Sequence, residues 1–128
     1  MAETLIPLKI KLHRRSQRLE LVYGDASFHL PAEYLRVYSP SAEVRGHGKG
    51  QEILQSGKQG IAITGIEPQG NYAIKLIFSD GHDSGIYSWH YLYNLATNQE
   101  THWQDYLLRL KQAGKTRDPE VGVVRIVE

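Results

Sequence analysis

The chain of 128 residues contains no cysteine. That excludes disulfides, thiolate metal ligands, cysteine nucleophiles and cysteine-held iron–sulfur clusters. It lacks an excess of either charge, because 15 Lys and Arg face 14 Asp and Glu for a net charge of +1. So small a balance gives no argument for nucleic acid, whose binding needs a concentrated basic face. No apolar run approaches the roughly 20 residues of a membrane helix. The opening MAETLIPLKIKLHRR has no apolar stretch long enough for a secretory signal. Internal repeats and low-complexity segments are absent too. The expectation is a cytoplasmic chain forming one domain over residues 1–128, with a core over about 8–112 and a tail over 115–128.

The polar and apolar residues fall into short periods. LKIKLHR alternates, with Leu8, Ile10 and Leu12 on one side and Lys9, Lys11 and His13 on the other, as a half-buried strand requires. RLELVY repeats the pattern, and Gly24-Asp25 supplies a turn before ASFHL. Pro31 suits the first turn of a short helix over PAEYLRVY, since its missing N–H costs nothing there. A long glycine-rich connection then covers residues 38–60. Beyond it GIAITGIE, NYAIKLIF and HDSGIY, separated by turn residues, predict an antiparallel meander. Ser88 is a suitable N-cap for a helix carrying Trp89, Leu92, Tyr93 and Ala96. Thr97 and Glu100 have capping-box spacing for a second helix, with Trp103, Tyr106, Leu107 and Leu110 as its stripe and Gly114 as its stop. The fold class is α+β, an antiparallel sheet meander with two C-terminal helices packed on it and one short helix near residue 32.

Several stretches suggest chemistry. The loop YSPSAEVRGHGKGQ resembles a phosphate cradle only superficially: Gly57-Lys58 is followed by Gln59, and Glu52 stands where a Walker motif needs glycine. DGHDSG sets His82, Asp83 and Ser84 in a row, but on a strand Asp83 faces away from its neighbours, so these three cannot form a hydrolytic relay. Six histidines, at 13, 29, 47, 82, 90 and 102, lack the helical spacing of zinc proteases. His13 and His29 read as strand residues, and His90 and His102 as exposed helix residues. His47 and His82 sit in turn-like contexts and would need a carboxylate such as Glu43 or Asp80 to complete a metal site. The basic group Lys9, Lys11, His13, Arg14, Arg15 and Arg18 reads as protection of a strand edge.

The segments YLRVYSPSAEV and FSDGHDSGIYSWHYL carry a family resemblance. From about Leu8 to Leu110 the chain resembles the N-terminal domain of gamma-butyrobetaine hydroxylase. That domain also occurs alone in bacteria, and similar domains occur fused to Mrp-type ATPases linked to iron–sulfur assembly. The resemblance implies a zinc turn of Cys-x-Cys-x-x-Cys plus a distant histidine, whose positions fall at Ser39, Ser41, Val44 and His82. Neutral serine is a poor zinc ligand and valine is none, so the resemblance predicts a zinc turn without its sulfurs. Pro40 would preserve that turn by fixing its φ. The family's Fe(II) chemistry belongs to a separate, later domain, so no oxygenase activity is expected of this chain.

The reading that follows is a non-enzymatic accessory module that binds a protein partner, with no nucleic acid or membrane, no resident cofactor and the option of homo-oligomerisation. Its site is the 38–51 loop beside the His82 turn. The alternative is weak iron or zinc binding by His82, His47 and Glu43, with a link to iron–sulfur assembly. A third class, an enzyme built on a carboxylate–histidine pair, would need a deep pocket with strongly perturbed groups.

Overall fold

The computed structural model describes residues 5–46 and 52–119. His47 and the tail beyond residue 119 lie outside the described residues. Among the described residues six strands and four helices follow one another: β1 (Lys9–His13), β2 (Arg18–Tyr23), β3 (Ala26–Pro31), α1 (Ala32–Val37), α2 (Ala42–Arg45), β4 (Ile63–Gln69), β5 (Ala73–Phe78), β6 (Ile86–Ser88), α3 (Trp89–Thr97) and α4 (Gln99–Ala113). The strands form two antiparallel three-stranded sheets, β1-β2-β3 and β4-β5-β6, rather than one. The α+β class is as the sequence predicts.

Period-two patterning explains the first sheet. Leu19, Leu21 and Leu30 are fully buried while Lys9, Lys11 and His13 face outward. Both sheets contribute to one core, in which Leu19, Leu21 and Leu30 cluster with Ile63, Leu76, Phe78 and Tyr87, and with Leu92 and Leu95 of α3. Gln17, in the β1–β2 turn, ties the sheets polarly. Its side-chain oxygen accepts from the Ile63 amide at 2.7 Å, and its carbonyl accepts from the Ala32 amide at 2.9 Å.

Helix α1 has all six residues buried, including Glu33 and Arg36. Two buried charges need partners. Glu33 accepts a bidentate pair from Arg117 at 2.7 and 2.8 Å, and Arg36 donates to Asp80 at 3.0 Å and Gln55 at 3.1 Å. Pro31 is the N-cap of α1 rather than its first helical residue.

The glycine-rich connection contains the one-turn helix α2 and is tethered by tyrosines. Tyr106 donates its hydroxyl to the Gln55 carbonyl at 2.8 Å and Tyr91 to that of Tyr38 at 2.6 Å, while Tyr87 holds α1 just before it, donating to the Leu35 carbonyl at 2.6 Å. Each bond satisfies a carbonyl outside a strand ladder, and each ring remains packed in apolar surroundings. Burial raises the Tyr106 hydroxyl to about 12.

Ser88 caps α3, accepting from the Tyr91 amide at 3.1 Å. The capping box does not form. Thr97 is the last residue of α3, and its hydroxyl donates back to the Tyr93 carbonyl at 2.9 Å, which leaves Asn98 between the two helices. Gly114 ends α4 in the left-handed region, φ 69°, as its position predicts. Among the described residues no helix is long and apolar enough to cross a membrane.

Candidate functional site

The turn after α1 and the turn after β5 meet at one corner. Ser39 is 1% exposed, Ser41 5% and His82 8%. The Ser39 hydroxyl lies 2.8 Å from His82 Nε2 and the Ser41 hydroxyl 3.4 Å from the same nitrogen. On the ring's other side, His82 Nδ1 is 3.1 Å from Glu43 Oε1. A carboxylate only accepts, so Nδ1 carries the proton and Nε2 accepts from Ser39. Ser84 adds a hydroxyl donation to Glu43 at 2.9 Å, and the Ser41 amide donates to Ser39 Oγ at 3.3 Å. Val44, the third position of the turn, is buried hydrocarbon.

HDSG is irregular backbone, and β6 starts only at Ile86. The alternation argument that separated His82, Asp83 and Ser84 therefore has no strand to act on. The structure instead aligns Ser39, His82 and Glu43 in the hydroxyl–imidazole–carboxylate order of a hydrolytic relay. In this corner Ser39 is sealed: a methyl group placed on Gly85 would collide with Ser39 Oγ, so the two segments touch backbone to side chain.

Asp80 anchors the corner from below. Its Oδ2 takes Lys58 Nζ at 2.9 Å and Arg36 Nε at 3.0 Å, while Oδ1 accepts the His82 amide at 3.1 Å. Burial opposes its ionisation, but Lys58, the amide and Arg36 outweigh that and hold the carboxyl at about 2. Arg36 and Lys58 are functional neighbours that the sequence reading missed. A charged residue on the wholly buried face of α1 is the one signal that could have pointed to Arg36.

His82 is held below its ordinary 6.5, first by burial and then by Arg36, against the opposing pull of Glu43 and Asp80. Below 6.5 the unfolded chain therefore binds the proton more readily than the folded one. The His82 contribution to stability is full above about pH 6.5 and is lost as the pH falls through the lowered folded value. Thermal melting between about pH 7.5 and 5 should show a steeper loss for wild type than for His82→Gln. Equal slopes would show that His82 does not govern this window.

A cleft of about 430 Å³ opens beside the corner, lined by Val37, Val44, Ile53, Tyr91 and Tyr106 together with Arg45 and Arg109. Arg45 lies over the Tyr91 ring, 5.6 Å from its centroid, and Arg109 donates to the Tyr38 hydroxyl at 3.3 Å.

A family profile described as gamma-butyrobetaine hydroxylase-like, N-terminal, matches residues 10–93. The chain belongs to that family. Two proteins solved in solution by NMR are similar over nearly the whole length. One is 54% identical with a TM-score of 0.80, covering 96% of this chain and 98% of its own. The other is 46% identical with a TM-score of 0.75, covering 95% and 92%. A crystal structure of a DUF971-family protein of unknown function from Acidithiobacillus ferrooxidans is 34% identical with a TM-score of 0.60, covering 73% of this chain and 94% of its own. No curated protein matches.

Within this gamma-butyrobetaine hydroxylase-like domain, Ser39, Ser41 and His82 do converge where the resemblance put the zinc turn. The donor set does not fit zinc there. Two neutral hydroxyls are engaged with the imidazole nitrogen that would face a metal, and Val44 offers no donor.

Proposed function

We propose that this family member is a non-enzymatic, cytoplasmic interaction module, whose cleft beside the Ser39–His82 corner receives a short apolar segment of a partner protein bearing a carboxylate. The observation that carries this reading is the lining of the cleft. Aliphatic and tyrosine side chains provide apolar area, and the Arg45 and Arg109 guanidiniums provide donors for an acid, Arg109 sharing its charge with Asp105 at 3.1 Å, with Glu52 as the opposing charge that narrows the choice. The sealed Ser39 hydroxyl supports a binding role over a hydrolytic one. A metal reading at His82 has less support, since its Nδ1 is engaged by Glu43 and its Nε2 by Ser39 and Ser41.

The test is an NMR titration with short peptides that pair an aliphatic or aromatic residue with a terminal or side-chain carboxylate. Shifts should concentrate at Val44, Ile53, Tyr91 and Tyr106. Arg45→Glu with Arg109→Glu should weaken binding by about tenfold or more, as expected for losing charge-assisted bonds. Peptide amides binding as well as acids, or shifts away from the cleft, would refute the reading.

A further inference from the structure

His13, Glu20 and His29 stand on three adjacent strands of the first sheet. Glu20 is directly opposite His29 in the β2–β3 register, and His13 is one diagonal step away across β1–β2, where Lys11 pairs with Glu20 and His13 with Arg18. All three side chains therefore leave the same outer face. Their ligand atoms lie within 4.8 Å of one another. His13 Nε2 is 2.8 Å from Glu20 Oε1, His29 Nε2 is 3.8 Å from Glu20 Oε2, and the two imidazole rings stack at 5.6 Å. Both imidazoles are more than two-fifths exposed, and Glu20 is 15% exposed, so the carboxylate is the fixed member and the histidines are reachable.

We infer that His13, Glu20 and His29 form a surface site for a divalent transition ion of the zinc, nickel and copper class, separate from the Ser39–His82 corner. Two imidazoles with one carboxylate suit such ions, whereas magnesium and calcium favour all-oxygen sets. Metal–nitrogen bonds of about 2.0–2.1 Å put tetrahedral donors about 3.4 Å apart, within the observed spread, and water would supply the remaining position. Small rotations of exposed rings suffice, because the sheet register has already placed the three residues. Lys11 and Arg18 share this face and repel a cation, so the site is a weak one.

Untagged protein titrated calorimetrically with zinc chloride, in a buffer that does not bind metal, should show saturable binding of one ion per chain. His13→Ala, His29→Ala and Glu20→Gln should each weaken it by at least about tenfold, the cost seen even for removing partners of metal ligands. These positions are on the sheet surface, and unchanged circular dichroism would confirm the fold of each variant. His82→Ala should leave the zinc affinity unchanged. No saturable binding, or binding indifferent to His13→Ala and His29→Ala, overturns the site. Binding lost in His82→Ala while the sheet variants retain it moves the metal to the corner and overturns it equally.

Discussion

Asp80→Ala should destabilise the folded chain by about 2–3 kcal/mol, a large share of the stability of a domain this size. The substitution removes three partners together. Arg36, whose side chain is 8% exposed, would keep only Gln55, Lys58 would lose its anion, and the His82 amide would lose its acceptor. Breaking a buried pair costs chiefly through the charge left behind, here the Arg36 guanidinium. Asp80 is one-quarter exposed, so solvent screens part of the loss and the expected value sits below that of a fully buried pair. Asp80→Asn retains an acceptor for the amide but not the charge, and should fall between wild type and alanine. Urea unfolding at neutral pH reads all three proteins. A change below about 0.5 kcal/mol for Asp80→Ala would show the ion pairs to be ordinary surface contacts. Acid adds an independent check: with the carboxyl held at about 2, its contribution is present above the ordinary carboxylate value and is lost as the pH falls through about 2.

Restoring sulfur to the turn should have the other large effect. In the triple variant Ser39→Cys, Ser41→Cys, Val44→Cys, three thiolates would surround the His82 imidazole that Ser39 and Ser41 already approach at 2.8 and 3.4 Å. A set of three cysteines and one histidine is a closed structural zinc site, with binding free energies of about 10–16 kcal/mol in small zinc domains. The variant should take up one zinc tightly and melt well above its chelator-treated form, by about 10 °C or more. Without zinc it should be less stable than wild type, because the Ser39–His82 bond is gone and larger sulfurs press on Gly85. Failure to bind zinc tightly would mean that the two turns are not arranged as a metal turn at all.

The legible parts of this fold were those set by local chemistry. Alternation placed Leu19 and Leu21 inside, Ser88 capped its helix, and Gly114 closed α4. Thr97 misled because its hydroxyl had a second option, the Tyr93 carbonyl one turn back, and spacing does not choose between the two. The two sheets are joined in part by Ile63 donating to Gln17, 46 residues away, a contact that no local pattern encodes. At the site, the family resemblance aligned Ser39, Ser41 and His82 before any geometry was known. The Asp80 hub was less visible, since Asp80 reads locally as the first residue of a turn and its cations come from α1 and from Lys58. His13 and His29 read as plain strand residues. Only the register, with Glu20 between them, makes them neighbours.

The central claim is that hydrogen bonds and packing hold the Ser39–His82 corner without metal. Its most direct measurement is the melting temperature of untagged protein carrying His13→Ala, which silences the sheet-face histidines, in excess chelator and again with equimolar zinc. The account predicts agreement within about 2 °C, since a ligand that does not bind the folded state adds no stability. A fall of about 10 °C or more in chelator, restored by zinc and abolished by His82→Ala, would contradict it.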